Sequence, residues 1–198
     1  MKIEYKDIIL RDMTEADIED DIRWYTVETD WSNWDAPWEP LPDIPDTDAY
    51  RKKELFKLAE PKDEIRWGFE IETAEGNHIG TVSSYMINEN FEWISVKDIK
   101  PGDKAFRTVG ISICESSFCG KGFGTKALAA FVNYYLENGE DEIYCQTWSG
   151  NIRMVKCAEK LGFEICKRKI DYREVNGKKY DGLTFRLNKE KFYNYFNK

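Results

Sequence analysis

Apolar and polar residues alternate in two rhythms along this chain, and the changes of rhythm outline its elements. Ile3-Glu4-Tyr5 through Ile8-Ile9-Leu10 reads as a first strand. Thr14-Glu15-Ala16-Asp17 reads as a capped helix start, after which Ile18, Ile22 and Tyr25 recur at helical spacing. From Thr29 to Pro40 the chain carries Trp31, Trp34 and Trp38 with two prolines and no period, so an ordered loop is expected. Asp46-Thr47-Asp48 opens a second helix through Leu55, Phe56, Leu58 and Ala59, stopping before Pro61. Ile65 to Glu72 and His78 to Tyr85 form a hairpin about Glu75-Gly76-Asn77. The segment from Asn88 to Ala105 reads as a long loop or lid, and Arg107 to Cys114 as the next strand.

After that strand comes a glycine-rich turn, Cys119-Gly120-Lys121-Gly122-Phe123-Gly124-Thr125, and then a helix. Phe123, Ala127, Leu128, Phe131 and Tyr134 mark its apolar side, and it ends near Gly139. Glu142 to Trp148 is a strand and Asn151 to Leu161 a helix closed by Gly162. Phe163 to Tyr172 and Lys179 to Leu187 pair about Asn176-Gly177, and a short helix reaches Phe196. The result is a mixed α/β chain of about seven strands. With no internal repeat or linker, residues 1–198 are expected to form one domain.

Composition narrows the class. Hydrophobic residues at 41% and aromatics at 15% exclude a disordered chain. The first residues have no apolar signal core, and no run approaches the roughly 20 apolar residues of a membrane helix, so a soluble, cytoplasmic protein without a membrane partner is expected. Five cysteines, an odd number with no CxxC pair, are expected to be reduced thiols. A single histidine, His78, gives no ligand cluster, so no metal is invoked. The balance of 29 basic against 37 acidic residues repels a phosphate backbone, which argues against nucleic acid and suits a cationic partner.

The glycine turn carries the most chemistry. Between a strand and a helix, Gly120, Gly122 and Gly124 let backbone N–H groups converge at the positive helix end, a nest for phosphate. A tight connection without a ligand is the competing reading. A P-loop needs Gly-Lys-Ser/Thr, whereas Gly124 is followed by Thr125 and Lys126. A dinucleotide fold needs an acid at the carboxyl end of the following strand, which here is Thr147-Trp148-Ser149.

In Cys119 to Gly124 the chain resembles the GNAT acetyltransferase superfamily, whose pyrophosphate loop is Gln/Arg-x-x-Gly-x-Gly/Ala; Cys119 departs at the first position. Asn151 to Phe163, ending in Lys160-Leu161-Gly162-Phe163, is similar to the family's later motif. Of its branches, the ribosomal-protein N-terminal acetyltransferases look most similar. The resemblance implies a mixed, mostly antiparallel twisted sheet flanked by helices and splayed between its fourth and fifth strands. It also implies acetyl-CoA held by Ile113, Cys114, Glu115, Cys119, Gly120, Lys121, Gly122, Phe123, Gly124, Thr125 and Asn151, with direct transfer to a primary amine, either a protein N-terminus or a small cationic amine. A backbone N–H near Cys114 is the expected oxyanion donor. Asn151 has a second reading as a helix cap, compatible with the first.

Catalytic residues stay unassigned. Carboxylates that could relay a proton are Glu70, Glu72, Glu115, Glu28 and Asp30. Many relatives carry a Tyr where this chain has Ala158, and neither Met154 nor Cys157 replaces it; Tyr144, Tyr172 and Tyr180 are the remaining acids. Trp31, Trp34, Asp35 and Trp38 stand where the family builds its substrate wall and read either as a cation site or as packing staples. A homodimer is compatible with this reading. So is a non-catalytic acyl-CoA-binding module, given Ala158 and Cys119.

Overall fold

Lys6 adopts φ 56, and the chain doubles back there, so the expected first strand is two. In the computed structural model, which describes residues 1–198, β1 (Lys2–Tyr5) and β2 (Ile8–Arg11) pair antiparallel. They join β3 (Gly68–Thr73), β4 (His78–Asn88), β5 (Trp93–Ile94), β6 (Ala105–Ile113), β7 (Ile143–Trp148), β8 (Phe163–Val175) and β9 (Lys178–Leu187) in one sheet. Its order is β1-β2-β3-β4-β6-β7-β9-β8, with β5 on β4. Every pairing is antiparallel except β6 with β7. The nine strands exceed the expected seven by the divided first strand and by β5. The segment 88–105 is therefore not a lid: β4 runs to Asn88, β5 returns along it, and Val96–Asp98 is a 3-10 turn. A two-residue strand is too short to leave an alternating pattern.

The helices are α1 (Asp17–Thr26), α2 (Ser32–Asp35), α3 (Thr47–Ala59), α4 (Phe123–Glu137), α5 (Ile152–Lys160) and α6 (Lys189–Phe196). Asp46 caps α3 by accepting from the amides of Asp48 and Ala49, both at 3.0 Å. At α1 the cap is reversed, since the amide and hydroxyl of Thr14 both donate to the Asp17 carboxylate. Residues 29–40 are more regular than expected, with a 3-10 turn at Thr29–Trp31 leading into α2. A four-residue helix cannot show a 3.6-residue period. No helix is long and apolar enough to cross a membrane.

The main core lies between one face of the sheet and α4, α5 and α6. Ala127, Ala129 and Ala130 let α4 approach Phe69, Ile71 and Val109 closely, and Phe131 and Tyr135 fill the space beside them. Ile18, Ile22 and Trp24 of α1 are buried outside this cluster, on the opposite face. The parallel pair is brief: Arg107 faces Ile143, Thr108 faces Tyr144, and pairing stops. Beyond that rung β6 stays with β4 and β7 with β9, so the two strands part. The splay expected between the fourth and fifth strands is this parting of β6 from β7.

Charge holds α1 on the sheet. His78 lies with Nδ1 2.8 Å from Asp20 and Nε2 2.9 Å from Glu70, with Asp17 at 3.3 Å. Two carboxylate partners require both ring nitrogens to donate, so the ring is an imidazolium. Burial alone lowers its pKa, but the hydrogen bonds that the ring donates to Glu70 and Asp20 outweigh it and the pKa is raised. Asp17 is also gripped by both terminal nitrogens of Arg11, at 2.6 and 2.7 Å. Asp17, Asp20 and His78 lie at metal-ligand spacing, and here the two carboxylates pair with His78, Arg11 and Arg23. The group titrates with a definite sign: stability from His78 is complete below the ordinary imidazole value of 6.5 and is lost as pH rises through the raised folded value. Melting curves should therefore show the wild type losing stability above pH 6.5 more steeply than His78→Gln; parallel pH profiles would exclude the imidazolium.

Candidate active site

At the turn after β6, Gly120 has φ 74 and Gly122 φ 89, values that L side chains rarely adopt. A Cβ at either glycine would meet nothing within 4 Å, so the conformation, not crowding, requires glycine. Gly122 is the N-cap of α4 and offers no side-chain cap, which leaves the first amides of the helix open. At Gly124 a Cβ would lie 3.4 Å from Ile113 and 3.6 Å from Ile111, so α4 starts in contact with β6. The turn borders a cleft of about 490 Å³ that reaches into the gap between β6 and β7. Of the residues expected to hold a cofactor, Ile113, Cys119, Gly120, Gly122, Gly124, Thr125 and Asn151 line it. Lys121 and Phe123 pack beside it around Phe118.

Cys114 and Glu115 turn away from the cleft. The Cys114 amide donates to the Ile79 carbonyl at 2.9 Å, and its thiol has a pKa raised by burial and by Asp21. Glu115 accepts from the indole of Trp24 at 3.0 Å and from Arg23. The Cys114 amide is thus engaged, and alternation along an antiparallel ladder points the amides of Val109, Ile111 and Ile113 toward the gap. Asn151 caps α5, its Oδ1 accepting from the Met154 amide at 3.0 Å, while its amide nitrogen makes no bond within the protein. Arg153, Lys156 and Lys160 line the cleft along one side of α5. Sequence reasoning missed this basic stripe, although its three- and four-residue spacing was visible after Asn151.

The tryptophan segment covers the mouth of the gap. Trp148, at the end of β7, donates its indole N–H to the carbonyls of Trp34 at 3.1 Å and Asp35 at 3.0 Å. Its ring folds over Gly150, where a Cβ would lie 1.8 Å away. Trp38 and Tyr180 pack edge-on against it, with centroids at 5.7 and 4.8 Å. Trp31 donates to the Trp24 carbonyl at 3.0 Å. The ring of Trp34 carries the Arg153 guanidinium at 4.0 Å and that of Trp38 carries Arg173 at 5.0 Å. The staple reading of the tryptophans is thus realised, and the chain's own guanidiniums lie over the two rings expected to meet a cation.

Residues 7–164 match the family model described as the acetyltransferase (GNAT) domain. The chain belongs to the GNAT acetyltransferases. Solved structures share the fold at low identity: an acetyltransferase of the GNAT family from Bacillus anthracis (14% identity, TM-score 0.65, 96% of this chain and 99% of that one). The ribosomal-protein-S5-alanine acetyltransferase from Vibrio fischeri is 20% identical (TM-score 0.65, 94% and 95% covered). A spermidine N-acetyltransferase chimera from Vibrio cholerae and hSSAT is 16% identical (TM-score 0.63, 96% and 99% covered). A search of curated protein sequences finds no match.

In this GNAT chain most candidate proton acceptors are spent. Glu70 holds His78, Glu72 accepts from Arg11 at 2.5 Å, and Glu115 and Glu28 both accept from Arg23. Asp30 does not line the cleft; Asp35 is the one acid that does. Asp35 stays open to the cleft, while the packing of the loop around it and the charge of Glu39 raise its pKa. On α1, Asp21 is pushed up to about 7 by burial and by Glu70, but it faces Tyr50 at 3.5 Å, away from the gap. The candidate acids are placed elsewhere: Tyr144 donates to Glu142 at 3.2 Å, Tyr172 covers Gly182, and Tyr180 packs on Trp148. Thr108, on the last rung before the strands part, is fully buried with its hydroxyl unpartnered. Trp148→Phe removes the N–H that ties down the loop together with the pyrrole half of a buried ring. It should cost on the order of 2–3 kcal/mol and speed amide exchange across residues 29–40. Unchanged exchange would show that the loop is held by other contacts.

Proposed function

We propose that the chain transfers an acetyl group from acetyl-CoA to a primary amine by direct attack within a ternary complex. The observation that carries this reading is the glycine turn, with two left-handed residues and uncapped helix amides, opening onto the gap between β6 and β7. Those amides suit a pyrophosphate, and Lys156 and Lys160 suit the remaining phosphate charge. Ile111, Ile113 and Asn151 supply backbone and amide donors along the gap for an amide-bearing arm. Bound acetyl-CoA supplies the thioester. The amides of Val109 and Ile111 face the place where charge develops, and one such donor contributes about 3–4 kcal/mol to catalysis.

An amine must be neutral to attack, and Asp35 is the carboxylate at the mouth that can orient the ammonium group and take its proton. Its raised pKa helps it hold that proton. A protein N-terminus, with an amine pKa near ~8, needs less help than an alkylamine near ~10. Relatives described as acting on ribosomal proteins and on spermidine leave both acceptor classes in view, including the ribosomal-protein N-terminal branch. No tyrosine lines the cleft and Ala158 is buried, which favours thiolate departure assisted by backbone or water. The same facts motivate the alternative of a non-catalytic acyl-CoA-binding module.

Acetyl-CoA at a hundredfold excess over Kd should stabilise the protein by about 2.7 kcal/mol in a melting assay, and absence of any shift would sink the acetyl-CoA assignment. Gly122→Val, which forces a branched side chain to φ 89, should abolish the shift. In a thiol-release assay on an amine panel, Asp35→Asn should lower kcat/KM on the order of 100-fold or more and remove the acidic limb of its pH profile. Tight acetyl-CoA binding with no turnover on any amine would favour the non-catalytic alternative.

A further inference from the structure

Every arginine in the chain forms a salt bridge except Arg153 and Arg173. In a protein with net charge −8 and 37 acidic residues, an unpaired guanidinium is a choice of placement. These two lie over Trp34 and Trp38, the rings that flank Asp35 at the mouth. Arg153 lines the cleft beside Lys156 and Lys160 and belongs to the basic side of α5 already described. Arg173 does not. Its Nε is buried without a partner, and so is the indole N–H of Trp38, the ring it covers. Both atoms are closed to solvent, and what the half-buried guanidinium leaves open to an outside partner is its charge.

The fold takes trouble to put Arg173 there. The β8–β9 register passes from Lys169 opposite Gly182 to Arg173 opposite Tyr180, so β8 carries extra residues in a bulge. Within it Asp171 has φ 52, and its amide donates to Asp181 at 3.1 Å while Arg168 holds the other oxygen of Asp181 at 2.9 Å. The nearby acids are therefore engaged, since Asp171 also accepts from Lys179. Tyr172 lies over Gly182, where a Cβ would come within 2.8 Å of its ring. The Tyr172 ring and the Trp38 ring then hold the guanidinium, with its carbon 4.3 and 5.0 Å from their centroids. Trp148 links this contact to Asp35 by packing on Trp38 and bonding the Asp35 carbonyl.

We infer that the acceptor is an amine that also carries a carboxylate, with the ammonium end at Asp35 and the carboxylate drawn to the Arg173 guanidinium. This rests on the acetyltransferase reading of the cleft. A purely cationic acceptor would set a second positive charge against Arg173, whereas a carboxylate offsets it. Asp35 and Arg173 thus match a zwitterion in sign.

The test uses amines of one shape and three charges: 4-aminobutyrate, butylamine and putrescine, together with C-terminally amidated tetrapeptides Ala-Xaa-Ala-Ala in which Xaa is Glu, Gln or Lys. Binding is read from tryptophan fluorescence without acetyl-CoA, and turnover from thiol release. The carboxylate member of at least one series should bind and react at least tenfold better than its neutral partner, and the cationic member worst. Arg173→Met should erase that preference while leaving the rate with the neutral amine and the acetyl-CoA melting shift unchanged; Arg173→Lys should keep part of it. Trp38→Phe, which removes the pyrrole half of the ring beneath the guanidinium together with its N–H, serves as the second probe where Arg173→Met fails to fold. Equal use of all charges, preference for putrescine or the Lys peptide, or an equal loss for every amine in the variants would overturn the inference. An acetyl-CoA shift without charge preference sinks only the carboxylate site. Loss of the acetyl-CoA shift with carboxylate preference intact sinks only the reading of the cleft.

Discussion

The structure turns on the parting of β6 and β7 after two residue pairs. Interior strands normally satisfy their backbone on both sides, and leaving one side open is costly unless something else meets those groups. Here Val109 to Ile113 and Cys145 to Trp148 have strand partners on one flank only. The opening is held from both ends. Gly124 seats α4 against Ile111 and Ile113, and Trp148 ties residues 29–40 across the mouth. The glycine turn, the α5 cap and the basic side of α5 all face the same gap because the strands that carry them diverge there.

Ion pairs do a different task. Glu70, His78, Asp20, Arg23 and Glu115 form a continuous run from β3 across α1 to the end of β6. The run fixes α1 on the face opposite the main core, where apolar burial is smaller. By consuming Glu70 and Glu115 it also removes them from proton transfer. What remains at the mouth is Asp35, a single carboxylate beside an open gap.

Much of the fold was legible in the pattern of residues. The long helices α3 and α4 and the hairpins β3–β4 and β8–β9 follow their periods and turn residues closely. The elements that were missed are short: α2, β5 and the hairpin at Lys6. Periodicity needs several repeats to show, and these have fewer. The direction of the Cys114 amide was not legible, because spacing along β6 cannot say which backbone amides are taken by the neighbouring strand. The partner of the Cys114 amide is Ile79, in a different element.

The sequence by itself determined the glycine turn, the Asn151 cap and the absence of a P-loop or dinucleotide pattern, since each depends on residues within one local stretch. It also determined the surplus of acid over base. Only the tertiary structure decided which charges are free. Glu70, Glu72 and Glu115 look the same as Asp35 in the chain, yet the first three meet His78, Arg11 and Arg23, and Asp35 does not meet a cation. Arg173 is likewise unremarkable until a bulge in β8 sets it over Trp38, 135 residues earlier in the chain. Pairing of charges is a contact between elements distant in sequence, and no local pattern records it.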